Sequence, residues 1–93
     1  MRTISTRKEM SLRQVVALAR KKGLSRPSLD DAVRARPRQE TLCIIAGQSL
    51  SEGHLRVCRV ESRGCYRMET FPIQHKVPAG TRFGFAEARS REE

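Results

Sequence analysis

The chain has no tryptophan, one tyrosine and three phenylalanines in 93 residues. So few aromatics (Tyr66, Phe71, Phe83, Phe85) make single-strand binding by stacked rings, and hence RNA binding through a sheet, the weakest of the available readings. They also predict a thin core, because a chain of this length buries only about two-thirds or less of its unfolded surface. A second copy is the simplest way to complete such a core, so a homodimer is expected. Cysteine is scarce and odd in number: Cys43, Cys58 and Cys65 form no C-x-x-C pair. His54, Cys58 and Cys65, with Cys43 upstream and His75 downstream, match no standard structural-zinc spacing, and buried free thiols are the expectation. No metal and no cofactor is expected. There is no Gly-rich phosphate loop, acid pair or nucleophile elbow, so the chain does not read as an enzyme. No run approaches membrane-spanning length, and residues 1–10 have no apolar h-region. The expected compartment is a reducing cytoplasm, with no membrane partner.

Acidic residues are in the minority, 10 against 19 Lys and Arg, for a formal charge of +9. Residues 1–40 hold 11 basic and 4 acidic side chains (+7), and residues 41–93 hold 8 and 6 (+2). A polyanion is the natural partner for such a field, since each neutralised phosphate releases condensed counterion. Arginine outnumbers lysine, which favours forked contacts to phosphate over simple solubility.

The charge is concentrated where residues 12–35, LRQVVALARKKGLSRPSLDDAVRA, read as two short helices about a turn at Gly23-Leu24-Ser25. Ser11 and Gln14 form an S-x-x-Q capping box, flanked by Met10 and Val15 at the staple positions. Leu12, Val15, Val16 and Ala19 recur at helical spacing and predict one apolar face, with Arg13, Arg20 and Lys21 turned away. Gly23 suits the left-handed residue that ends a helix. Ser25 is the expected cap of the second helix, with Pro27 in its first turn. Leu29, Ala32 and Val33 supply a second stripe, and Pro37 stops it.

This segment resembles the helix-turn-helix of bacterial and phage repressors, over about a quarter of the chain. The small first-helix residue is Ala19, the turn glycine is Gly23, the apolar residue after it is Leu24, and the second helix opens on Ser25-Arg26-Pro27-Ser28. Packing positions fall at Leu29 and Ala32. The resemblance implies that the second helix enters the major groove of double-stranded DNA. Its implied base-facing positions are Ser25, Arg26, Ser28, Asp30 and Asp31. Lys22 stands where the family is usually apolar, and the two aspartates would have to accept from cytosine amino groups. Arg20, Lys21, Lys22 and the cluster Arg34, Arg36 and Arg38 are expected on phosphates.

Residues 1–10 read as a flexible basic arm or a short edge strand at Thr3-Ile4-Ser5-Thr6. From residue 41 the pattern turns extended. TLCIIA (41–46) predicts a buried strand, and HLRVCRVE (54–61) a strand with a bulge or with apolar residues on both faces. Ser62-Arg63-Gly64 is a hairpin signal that sets Arg63 beside phosphate. Residues 65–71 return with Tyr66 and Met68 as candidates for the inner face, and residues 81–86 place Phe83 and Phe85 on one face. Residues 88–93 are a charged tail. The expected fold is one α+β domain over residues 11–87: two N-terminal helices (11–36) followed by a small antiparallel sheet of about four strands (41–87). The expected function is a small DNA-binding regulator, a transcriptional repressor or accessory factor. The alternative is an interaction or inhibitor protein that binds another protein or a nucleoprotein complex.

Overall fold

Alternation is clearest near the end of the chain, where Phe83 and Phe85 are both fully buried and flank Gly84. In a strand these two rings share a face, and the intervening glycine lies on the other. The computed structural model, which describes residues 1–46, 53–62 and 65–87, makes this segment the centre of the molecule. In chain order the elements are β1 (Arg2–Ser5), β2 (Met10–Ser11), α1 (Leu12–Lys21), β3 (Leu24–Ser25) and α2 (Leu29–Ala35). There follow β4 (Leu42–Ile44), β5 (His54–Ser62), β6 (Cys65–Pro72), β7 (Lys76–Val77) and β8 (Arg82–Glu87). The main sheet runs β1-β8-β4-β5-β6, with β3 joined to the end of β8, and β2 pairs with β7 in a separate ladder.

Pairing is antiparallel except between β4 and β8, which run parallel and meet at Leu42 and Phe83. Beyond that contact, residues 24–27 bridge the two strands. Leu24 and Ser25 pair with Glu87 and Ala86, while Pro27 accepts from the Ala46 amide at 2.8 Å.

Strand alternation divides the interior in two. Leu42, Ile44, Val57, Phe83 and Phe85 face α1, whose Leu12, Val15 and Ala19 complete the larger cluster with Leu24 and Val77. Cys43, Ile45 and Cys58 face the other way and are covered by Ala32 of α2, with Tyr66 packed against them. Both β4 and β5 are thus apolar on both faces, and β5 also carries a register irregularity, between Val60 and Ser62.

Two expectations need correction. The fold is not two N-terminal helices followed by a small antiparallel sheet: strand accounts for 46% and helix for 22%, in a mixed six-stranded sheet. The two helices also bury their apolar residues in different clusters, so Ala19 serves the sheet core rather than a close crossing with α2. Second, α2 is capped by Ser28, whose hydroxyl accepts from the Asp31 amide at 3.1 Å. Ser25 is committed to the ladder with β8, and tertiary pairing there outweighs its capping preference. Of the predicted stripe only Ala32 is buried; Leu29 and Val33 are each 41% exposed. Residues 1–10, read as a flexible basic arm or a short edge strand, begin as edge strand β1, paired with β8 from Arg2↔Phe85 to Ser5↔Arg82.

The start of α1 is as its sequence predicts. The Gln14 amide donates to the Ser11 hydroxyl and the Ser11 amide donates to the Gln14 side chain, at 3.2 and 2.9 Å. Among the described residues, no helix is long and apolar enough to cross a membrane.

Candidate nucleic-acid interface

Cations gather into two grooves that no carboxylate lines among the described residues. Helical spacing makes the first. Arg13, Val16 and Arg20 lie three and four residues apart on α1, beside its buried stripe, so they form one flank of the helix. Opposite stand Leu55 at the start of β5 and Ile73 just after β6. The Arg13 amide donates to the Ile73 carbonyl at 3.1 Å and ties the walls together. Arg26 lines the same groove, which encloses about 240 Å³, and with Arg20 it also borders the adjoining hollow that holds Ser25.

Arg26 is anchored rather than extended. Its Nη2 donates to the Ile45 carbonyl at 2.6 Å, and its Nε is shut off from water without an acceptor among the described residues. A buried donor left without a partner costs about 1–3 kcal/mol, more when the group is charged. An anion beside the guanidinium would offset that cost electrostatically.

The second groove lies on the opposite face, at the β1 edge. Helix α2 ends at Arg36, which takes the left-handed conformation at φ 48°. Arg36 and Arg38 then line a hollow with Met1 and Thr3 of the first strand region and Arg82 of β8. Arg82 is steadied by a long contact, 3.4 Å, from Nη1 to the Gln39 carbonyl.

The expected phosphate-contacting residues are thus distributed. Arg20 and Arg26 come together, as do Arg36 and Arg38. Arg34 borders a different hollow with Asp31 and Glu87. Lys21 and Lys22 are exposed at the C-terminal end of α1, where cations are favoured by the helix dipole. Ser28 is occupied as a helix cap, and Arg63 lies outside the described residues. Arg13 and Arg82 went unremarked as site residues. The first was legible, seven residues before Arg20 on the same flank; the second joins its groove only through long-range pairing.

Glu40, Glu61 and Glu69 are engaged elsewhere. Among the described residues the ion pairs join Arg59 to Glu40 and Glu69, and Arg67 to Glu61 and Glu69. Among the described residues, Arg13, Arg20, Lys21, Lys22, Arg36 and Arg38 have no carboxylate within 4.0 Å.

The thiols form no metal cluster with other ligand types among the described residues. Cys43 stands directly across from Cys58 on the β4–β5 ladder, and both are buried and unbridged. Burial foremost, and then the neighbouring Cys58, push the Cys43 thiol up to about 11, against a smaller opposing effect of the Gly84 backbone. Burial raises Cys58 as well. These thiols are held protonated, which suits packing and not nucleophilic chemistry.

Comparison with protein-family models, with characterised proteins and with solved structures finds no match to this chain.

Proposed function

We propose that this protein is a small cytoplasmic DNA-binding regulator that grips duplex DNA through its phosphate backbone. The observation that supports it is the separation of charge. Carboxylates neutralise Arg59 and Arg67 on the hairpin, while Arg13, Arg20, Lys21, Lys22, Arg36 and Arg38 have no carboxylate within 4.0 Å among the described residues. Arg36, Arg38 and Arg82 would make forked phosphate contacts at the β1 edge, and Arg20, Lys21 and Lys22 would do so at the end of α1. Insertion of α2 into the major groove forms no part of the reading, because that short helix is packed on the sheet through Ala32 and its cap is already engaged.

The test is binding to labelled duplex DNA across a salt series. A steep fall of affinity with salt is expected, and Arg36→Ala with Arg38→Ala should lower the logarithmic slope by about 2, at roughly 0.9 per phosphate. An unchanged slope would remove the β1-edge groove from the contact, and absence of binding at low salt would end the DNA reading.

A second reading, a protein partner, is favoured by one observation. Leu29 and Val33 face outward one turn apart on α2, and Met68 on the same sheet face is 38% exposed. A second copy of this chain is the first partner to test, by sedimentation of the wild type against Leu29→Ser/Val33→Ser.

A further inference from the structure

We propose that the groove between α1 and the Leu55–Ile73 wall is a binding site for a small amphiphilic phosphate, a phosphomonoester carrying a compact apolar group. Two kinds of surface meet there. Arg13, Arg20 and Arg26 bring three guanidinium groups to a groove that no carboxylate lines among the described residues, while Val16, Leu55 and Ile73 give it apolar walls. Ligand sites characteristically combine apolar walls with a few convergent polar groups. Arginine is also the side chain whose fork matches phosphate oxygens.

The state of Arg26 is an independent pointer. Its guanidinium is pinned at one end by the Ile45 carbonyl and has its Nε sealed from water with no acceptor among the described residues. A half-buried charge of this kind is stabilised by an anion nearby and is otherwise unbalanced. The pinned fork is also preorganised, so binding costs little side-chain entropy.

The dimensions favour a small ligand. About 240 Å³ accommodates a phosphate and one ring-sized group. A duplex presents phosphodiester monoanions on a convex surface, which reach the arginine rim but leave the apolar walls uncovered. A phosphomonoester dianion with an apolar body covers both. That chemistry is shared by a free phosphorylated metabolite and by the 5′-phosphorylated end of a nucleic-acid strand. The site shares Arg20 with the proposed DNA face but does not depend on it. In a DNA regulator it would be the effector site.

The experiment is a titration of the full chain, followed by methyl NMR of Val16, Leu55 and Ile73, with phenyl phosphate, inorganic phosphate and phenol at constant ionic strength. Phenyl phosphate should produce saturable shifts at these methyls, with half-saturation at least about tenfold below that of inorganic phosphate, reflecting burial of the ring. Phenol should produce none. Arg20 is exposed, so Arg20→Gln should fold normally and weaken phenyl phosphate binding about tenfold or more.

Equal half-saturation by phosphate and phenyl phosphate, shifts unaltered by Arg20→Gln, or no shifts at these methyls would each overturn the site. Tighter binding of a short 5′-phosphorylated strand than of its 5′-hydroxyl counterpart would identify the strand end as the source. Equal binding of the two would identify the free phosphomonoester. Loss of duplex binding with phenyl phosphate binding retained leaves this site standing and removes the DNA reading; the reverse result removes this site alone.

Discussion

Thr6 and Thr81 hold each other by a reciprocal pair of hydrogen bonds. The Thr6 amide donates to the Thr81 carbonyl at 2.9 Å, and the Thr81 amide donates to the Thr6 hydroxyl oxygen at 3.1 Å. That hydroxyl in turn donates to the Pro78 carbonyl at 2.9 Å, and the Gly80 amide donates to the Thr6 carbonyl at 2.8 Å. The side chain is only 4% exposed. The segment after β1 is thereby fastened to the turn that leads into β8.

Replacing Thr6 by valine keeps the shape and removes both hydroxyl bonds. A loss of about 1–3 kcal/mol is expected, read as a lower urea midpoint. Faster amide exchange in β1 should accompany it. An unchanged midpoint would mean that the Thr81 hydroxyl, which donates to the same Pro78 carbonyl at 2.6 Å, and solvent at the Thr81 amide make up the loss.

The two serines ahead of α2 have different expected costs. Ser28→Ala removes the acceptor for the Asp31 amide and should cost about 1 kcal/mol. Ser25→Ala leaves the backbone pairing with Ala86 intact and should cost only a few tenths of a kcal/mol. Thermal unfolding of the two variants side by side decides the matter, and equal losses would contradict Ser28 as the cap.

Thiol chemistry should separate the cysteines. Cys65 is exposed, whereas Cys43 and Cys58 are buried, so an aromatic disulfide reagent should modify one thiol rapidly and two only on unfolding. The raised thiols also tie stability to alkaline pH. Above about 9 the unfolded thiols ionise while the folded ones keep their protons, so the folded state binds more protons and stability falls as pH rises. For Cys43 that decline should level off near 11. Urea midpoints measured from pH 8 to 11 should show a smaller decline in Cys43→Ala than in the wild type.

Gly84 is tightly enclosed on the α2 face. A Cβ there would stand 2.9 Å from Met1 Sδ and 3.2 Å from Cys43 Sγ. The methionine end can swing away, but Cys43 is held in β4. Gly84→Ala should therefore cost about 1–2 kcal/mol in the wild type. Most of that cost should disappear in a Cys43→Ala background, where the sulfur is gone. A double-mutant cycle on unfolding midpoints measures the coupling, and strict additivity would show that Cys43 is not the obstacle.

How much of this was legible depended on the range of the interactions. The start of α1 could be read because Ser11 and Gln14 satisfy each other within one turn. The burial of residues 41–45 and the shared face of Phe83 and Phe85 could be read from short-range alternation. The apolar spacing of Leu29, Ala32 and Val33 was real as spacing, but the sheet needs only the Ala32 edge of so short a helix. Ser25 looked like a cap because its competing partner, Ala86, lies some 60 residues away. The parallel contact of Leu42 with Phe83 likewise leaves no local trace. The candidate site divides in the same way: Arg13 and Arg20 share a helix flank by arithmetic, while Arg82 reaches Arg36 and Arg38 only through the order of the strands.

That order bears on how the chain is made. The strand that touches β1, β3 and β4 is the last of those described, so β1 has no neighbour until residues 82–87 have left the ribosome. Neither face of the sheet can close during most of synthesis, and the contacts that close it are long-range and slow to form. Synthesis halted before residue 82 should release no smaller version of this domain. The product would be a three-stranded β4-β5-β6 sheet with the apolar surface that β8 covers left open, a substrate for proteases and chaperones.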